Sequence, residues 1–310
     1  MKAAQISAYD GPSSVNVTDQ ATKPEPAADQ VLVQVHAAGV NPFDNVVSLG
    51  FARQMVELNF PATLGGDLAG TVVALGADVT GLEVGQAVYG QANALSSQGS
   101  FAEFAAAKAE SLAPKPESVD FTTAAGFPLV SVSALQALES MQLQPGQKVL
   151  IHGGAGGIGS MAIQLAKNFG AYVITTASAG DLEYVKGLGA DEVIDYQAQN
   201  FADVVTDIDA VFDTIGGETN LKSYGVLKSG GVLVSMVEPA NDELVTKGSV
   251  RYEHQYTQVT SERLRAITKL IEAGQLTINI DKVFPLEQAA DALEYLKTGH
   301  PRGKVVIQVS

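Results

Sequence analysis

The 310-residue sequence contains no cysteine. No disulfide can form, and neither thiolate-ligated zinc nor a thiol nucleophile is available. Histidine is scarce as well. His36, His152, His254 and His300 are scattered with no i,i+4 pair, and they read as strand-end or surface residues rather than as metal ligands. Basic residues are few: 19 Lys and Arg stand against 34 Asp and Glu, for a net charge of −15. Nucleic acid and anionic membrane both demand a basic footprint, so neither is an expected partner. The excess of carboxylates reads as a solubility feature. It also means that a phosphate-bearing ligand needs local donors, such as helix N-termini and a few Lys or Arg. Long apolar runs are missing too. No stretch reaches the ~18 residues of a spanning helix. The start, Met1 to Gly11, has no apolar core followed by a cleavage site and reads as the first strand of a mature cytoplasmic protein.

What is present is globular in balance, with 46% apolar and 17% charged residues, and long enough for two domains. Up to about residue 122 the chain holds short β-rich runs at Val31–Val35, Gly70–Leu75, Ala87–Tyr89 and Ala102–Ala106, closely punctuated by Gly and Pro. Such spacing predicts a compact barrel-like β domain. From about 123 the period changes. Strands at Val149–His152, Tyr172–Thr176, Glu192–Asp195, Ala210–Asp213 and Gly231–Val237 alternate with helices at Ser160–Phe169 and Leu182–Leu188. That alternation predicts βαβ units and a doubly wound parallel sheet. Two helices, from Ser261 or Glu262 to Ala273 and over Leu286–Lys297, and a strand at Lys304–Val309 complete the chain.

The most specific motif is Gly154-Ala155-Gly156-Gly157-Ile158-Gly159. It fits G-x-G-x-x-G between a predicted strand and a predicted helix, the setting that makes this spacing a dinucleotide fingerprint. The first glycine permits the tight turn, the second lets the pyrophosphate approach the backbone, and the third lets helix and strand pack closely. The helix N-terminus offers N–H groups and a positive dipole end. An acidic residue about 20 positions on would bond a ribose 2′-hydroxyl. Here that spot falls at Ala177 or Ser178. Without a carboxylate a 2′-phosphate is admitted, and Ser178 can donate to it, so NADPH is favoured over NADH. Asp181, three residues on, could still swing back to a 2′-hydroxyl.

Several motifs in order resemble the zinc-independent quinone oxidoreductases and enone reductases, the zeta-crystallin-like branch of the medium-chain dehydrogenase/reductase superfamily. They are Ala38-Gly39-Val40-Asn41-Pro42-Phe43-Asp44, Pro61 to Gly70, Gly99-Ser100-Phe101-Ala102-Glu103-Phe104, Phe127 to Leu138, Val149 to Lys167, Leu188-Gly189-Ala190-Asp191 and Arg302-Gly303-Lys304-Val305-Val306. The resemblance implies an α/β chain: a GroES-like β-rich domain over 1–122 and 262–310, and a Rossmann dinucleotide-binding domain over 123–261. By motif matching, Asn41, Gly66 and Leu129 occupy the positions of the zinc ligands in zinc-dependent relatives, and none offers a thiolate or imidazole. The resemblance places Asn41 beside nicotinamide and substrate carbonyl as a hydrogen-bond partner; the alternative is a plain Asn-Pro turn. Asp44 is either a site carboxylate or a helix N-cap, and the N-cap is favoured. The implied cofactor-binding set extends the fingerprint with Ser178, Tyr196, Ile215, Met236, Val237, Arg302 and Lys304, the last two reaching a phosphate or forming a solvated charge pair.

Two departures from the family pattern stand out. The run Asn45-Val46-Val47-Ser48 lacks the Tyr or Lys and the Arg that many members carry after the NPxD motif. Ala179-Gly180-Asp181 replaces a Lys that often follows Ser178. The expectation is an NADPH-dependent reductase of small-molecule quinones or α,β-unsaturated carbonyls that needs no metal and assembles as a homodimer. The alternatives are an enoyl-thioester reductase and a nicotinamide-binding sensor or structural protein without turnover.

Overall fold

The computed structural model describes residues 1–310. The chain forms two compact units. One comprises Met1–Leu129, Val259–Gly274 and Ile278–Ser310, and the other Val130–Gln258 and Gln275–Thr277.

The first unit opens with β1 (Ala3–Ile6), β2 (Asn16–Thr18), β3 (Gln30–Val40), α1 (Pro42–Ser48), β4 (Ala62–Thr63), β5 (Asp67–Leu75), β6 (Ala87–Gln91), β7 (Phe104–Lys108), β8 (Leu112–Pro114) and α2 (Phe121–Gly126). The chain then passes through α3 (Pro128–Met141) into β9 (Lys148–Ile151), α4 (Gly157–Asn168), β10 (Tyr172–Ala177), α5 (Leu182–Gly187), β11 (Glu192–Asp195), β12 (Ile208–Asp213), α6 (Gly217–Ser223), β13 (Leu227–Ser235), α7 (Asp242–Gly248) and β14 (Arg251–His254). It returns to the first unit with α8 (Ser261–Glu272), β15 (Ile280–Pro285), α9 (Ala289–Thr298) and β16 (Lys304–Gln308).

Strand β3 organises the first unit. One edge pairs antiparallel with β5, and the other takes β7 at its start and β16 at its end. Register shifts between Leu32 and Val33 and between Val35 and Ala37 bend the pair, as bulges do. The sheet runs β15-β16-β3-β5-β6-β8, beside a small β2-β1-β4 sheet. Val31, Val33, Val35, Leu64, Leu68, Val88, Phe101, Leu112 and Ile307 fill its core. The first unit ends seven residues later than the pattern change near 123 implies. The reason is packing: α2 lies against β3, β5, β6 and β16.

The second unit is a six-stranded sheet in the order β11-β10-β9-β12-β13-β14. Every pairing is parallel. Counted within the unit, this order is 3-2-1-4-5-6, with the winding reversing between β9 and β12. Helices on both faces bury such strands completely, and Val149, Leu150, Ile151, Val211 and Phe212 have no exposure.

Helix α4 begins three residues before the expected start. Glycine weakens helices in general, yet Gly157 and Gly159 lie inside its first turn. Packing overrides propensity there, because a Cβ on Gly159 would sit 2.1 Å from the Gly153 carbonyl oxygen. Replacing Gly159 with Ala is therefore expected to overpack the strand-to-helix turn. Urea denaturation should show a loss of about 1–3 kcal/mol; an unchanged midpoint would mean that the turn relaxes freely.

Candidate active site

In the first unit, four polar residues from distant parts of the chain meet where apolar burial surrounds them. Asn41 is 2% exposed, Asp44 2%, Asp67 0% and Lys304 3%. Asn41 sits where β3 hands over to α1, Asp67 begins β5, and Lys304 begins β16. The Lys304 ammonium donates to the Val40 carbonyl and, at 2.6 Å, to Asn41 Oδ1. The Asn41 carboxamide passes the contact on, with Nδ2 donating to Asp67 Oδ2 at 2.8 Å. Asp67 also accepts from Gln91 Nε2 at 3.2 Å and from the Leu129 N–H at 3.2 Å. The Asn41 N–H donates to Asp44 Oδ2 at 2.7 Å.

Burial disfavours every charge in this cluster. It pushes the Asp44 carboxyl up to about 7, against the pull of the Asn41 N–H. It raises Asp67 to about 6, with the Lys304 charge opposing. Burial likewise lowers Lys304 from the usual lysine range, while the two carboxylates partly restore it.

Two expectations are corrected here. Asp44 is not the N-cap of α1. Asn41 holds that position, and Asp44 is the third helical residue, reaching back to the cap N–H. Lys304 is not available to a cofactor phosphate, because its ammonium is enclosed and bonded inside the first unit. Arg302 is exposed in the loop before β16, its backbone fixed by Asp281 and Asn279. The three positions matched to zinc ligands supply a carboxamide, a glycine and a leucine whose N–H is spent on Asp67. That donor set does not fit zinc.

The remaining expected cofactor residues gather in the second unit. Each follows the C-terminal end of a parallel strand: Gly154–Gly159 after β9, Ser178 after β10, Tyr196 after β11, Ile215 after β12, and Met236 and Val237 after β13. Ligands of doubly wound sheets bind outside this edge, at the switch in winding. The glycines respond differently to an added Cβ. At Gly154 it would lie 2.2 Å from Thr175 Oγ1, so the protein's own packing already demands glycine. At Gly156 it would meet nothing nearer than 3.5 Å. Space is left on that side, where a pyrophosphate approaches. Ser160 is the first residue of α4 whose N–H bonds back into the turn, so the first-turn N–H groups before it face outward as anion donors. The loop therefore fits a dinucleotide. Tyr196, Ile215 and Val237 are 56%, 55% and 47% exposed, and offer aromatic and apolar surface for planar rings.

Sequence reasoning missed the residues that brace this edge. His152, wholly buried, bonds Ser223 Oγ at 3.0 Å and Thr176 Oγ1 at 3.4 Å. Thr176 Oγ1 accepts from the Gly153 N–H, which anchors the fingerprint turn. Thr214 Oγ1 donates to the His152 carbonyl. Asp213 accepts from the N–H groups of Ile215 and Gly216, from Asn220 Nδ2 and from Ser235 Oγ. The only sequence signal was the position of His152 and Asp213 at strand ends.

Two families of known proteins match parts of the chain. Residues 27–117 match the alcohol dehydrogenase GroES-like domain, and residues 188–307 match the zinc-binding dehydrogenase family. The chain is 36% identical to a 2-methylene-furan-3-one reductase from Solanum lycopersicum, over 99% of this chain and 79% of that protein. It is 37% identical, with the same shares, to an NADPH-dependent alkenal/one oxidoreductase of Arabidopsis thaliana chloroplasts. The solved structure of a quinone oxidoreductase from Coxiella burnetii superposes with a TM-score of 0.93 at 36% identity, covering 100% of this chain and 99% of that one.

Burial holds His152 down to about 4, with the nearby Asp213 charge pulling the other way. The neutral ring is thus favoured in the fold. Its stabilisation is complete above the ordinary histidine value near 6.5 and is lost as pH falls towards 4. Across that window the wild type should lose about 3 kcal/mol more than His152→Asn, measured by denaturation at each pH; parallel curves would mean the ring is protonated without cost. Removing the Lys304 ammonium leaves buried carboxylates uncompensated. Lys304→Met should therefore cost about 3–5 kcal/mol at neutral pH. The loss should shrink in acid as the carboxyls take up protons, and a loss independent of pH would place the effect elsewhere.

Proposed function

The chain belongs to the medium-chain dehydrogenase/reductase superfamily, and on that premise we propose that it reduces quinones and α,β-unsaturated carbonyls with NADPH, without a metal. The observation that carries this reading is the fingerprint turn at the switch in winding of the parallel sheet, with room beside Gly156, in a chain 37% identical over 99% of its length to an NADPH-dependent alkenal/one oxidoreductase. When bound, NADPH supplies a hydride from C4 of its nicotinamide ring. A quinone or enone needs little polarisation to accept it, because conjugation spreads the arriving charge.

The protein's share of the work is binding, orientation and charge stabilisation. The first-turn N–H groups of α4 bind the pyrophosphate. Tyr196, Ile215, Met236 and Val237 line the edge along which the nucleotide lies. Asn41 donates to the oxyanion that develops on the acceptor. One carboxamide N–H is held by Asp67, and the other serves the substrate. The ammonium of Lys304 on Oδ1 polarises the amide and makes that second N–H a stronger donor. Water supplies the proton. The homodimer and the cytoplasmic location are part of the same proposal; no helix is long and apolar enough to cross a membrane.

Steady-state oxidation of NADPH, followed at 340 nm, tests the reading against quinones, enones and simple alcohols. Turnover is expected with the first two and should survive dialysis against a strong chelator. Asn41→Ala should lower kcat/KM by roughly 10- to 100-fold. Faster oxidation of simple alcohols than reduction of any quinone or enone, or loss of activity with extracted zinc, would overturn it.

A further inference from the structure

The end of β10 is built unlike a pocket for a 2′-phosphate. Ser178, the expected donor to that phosphate, gives its hydroxyl to Asp181 Oδ2 at 2.6 Å. The single turn Ala179–Asp181 closes on the same residue, with the Asp181 N–H donating to the Ser178 carbonyl at 2.9 Å. Asp181 is thereby fixed beside Ser178 although it lies three positions later than an acidic residue at the strand end would. On the neighbouring strand, Ala177 pairs with Asp195, so a second carboxylate borders the same corner. The next basic side chain along the chain, Lys186, is exposed and turned to Glu183 at 3.2 Å.

A phosphate at this corner carries close to two negative charges and meets a carboxylate already holding the serine proton. A 2′-hydroxyl meets the same pair without repulsion. It can donate to the Asp181 carboxylate, the arrangement by which an acidic residue holds a ribose. We propose that Asp181 sets the choice of reductant in this chain, holding the preference for NADPH over NADH below about tenfold. This rests on the nucleotide seating along the Gly154–Gly159 edge, as in the proposed function. The fold of the turn makes Asp181 a standing cost on the 2′-phosphate and an anchor for the 2′-hydroxyl.

Calorimetric titration of the purified chain with NADPH, NADH, 2′,5′-ADP and 5′-AMP, without any acceptor substrate, reads this directly. The wild type should bind NADPH and NADH within about tenfold of each other, and 2′,5′-ADP with no great advantage over 5′-AMP. Asp181→Ser should tighten NADPH and 2′,5′-ADP by about 10- to 100-fold while leaving NADH equal or weaker. Asp181→Asn, which keeps the shape and removes the charge, should shift the ratio in the same direction. A wild-type ratio of tenfold or more, or a ratio unmoved by both variants, overturns the role of Asp181 and leaves the nucleotide site standing. Failure of the wild type to bind either dinucleotide overturns the proposed function itself, and this inference with it.

Discussion

The buried ammonium of Lys304 is the interaction on which the rest of the first unit depends. It lies 263 residues from Asn41 in sequence, yet its bond to that carboxamide joins the start of β16 to the junction of β3 and α1. Asn41 extends the link to Asp67 at the head of β5. Three strands and one helix start are thus tied by one chain of hydrogen bonds among side chains that are almost fully buried. Such a network is costly when partly satisfied, because each unpaired member keeps its full desolvation cost. That constraint makes the position of the Asn41 carboxamide definite. It also puts a cation beside the residues matched to zinc ligands in zinc-dependent relatives, where the local carboxylates need one.

The second unit solves a different problem, that of holding loops at the end of a sheet. Parallel strands deliver five consecutive loops to one edge, and each carries residues suited to a dinucleotide. Loops alone would be mobile. Thr176 and Asp213 brace them through side-chain bonds to the backbone at Gly153, Ile215 and Gly216, and the His152 ring ties Thr176 to Ser223. The neutral state of His152 and the many donors on Asp213 are the means by which a polar group survives there.

Legibility in the sequence followed the range of the interactions. The fingerprint, the alternation of strand and helix and the GroES-like motifs are local patterns, and the strand-by-strand reading of the second unit held at β9, β10, β11 and β12 to within a residue or two. Strands β14 and β15 and helices α6 and α7 were not anticipated, because they are short and carry no strong apolar period. The role of Lys304 was invisible for a different reason. A lysine in Arg302-Gly303-Lys304 reads as a solvated charge unless the strand pairing that buries it is known. Asp44 was misassigned by three positions for want of the cap geometry, since Asn41 and Asp44 are both good cap residues. Asp181 was legible as a competing acid, but only the folded turn brings it to 2.6 Å from the Ser178 hydroxyl.

The account's central claim is that reduction proceeds by hydride delivery to a conjugated acceptor, with Asn41 and its buried cation stabilising the oxygen. The most direct measurement is the position of the label after turnover of an acyclic enone with NADPH deuterated at C4 on the transferring face, read by NMR of the product. The account predicts a saturated ketone carrying deuterium on the carbon β to the carbonyl. Deuterium on the carbinol carbon of an allylic alcohol, or a reduced product without label, would contradict it.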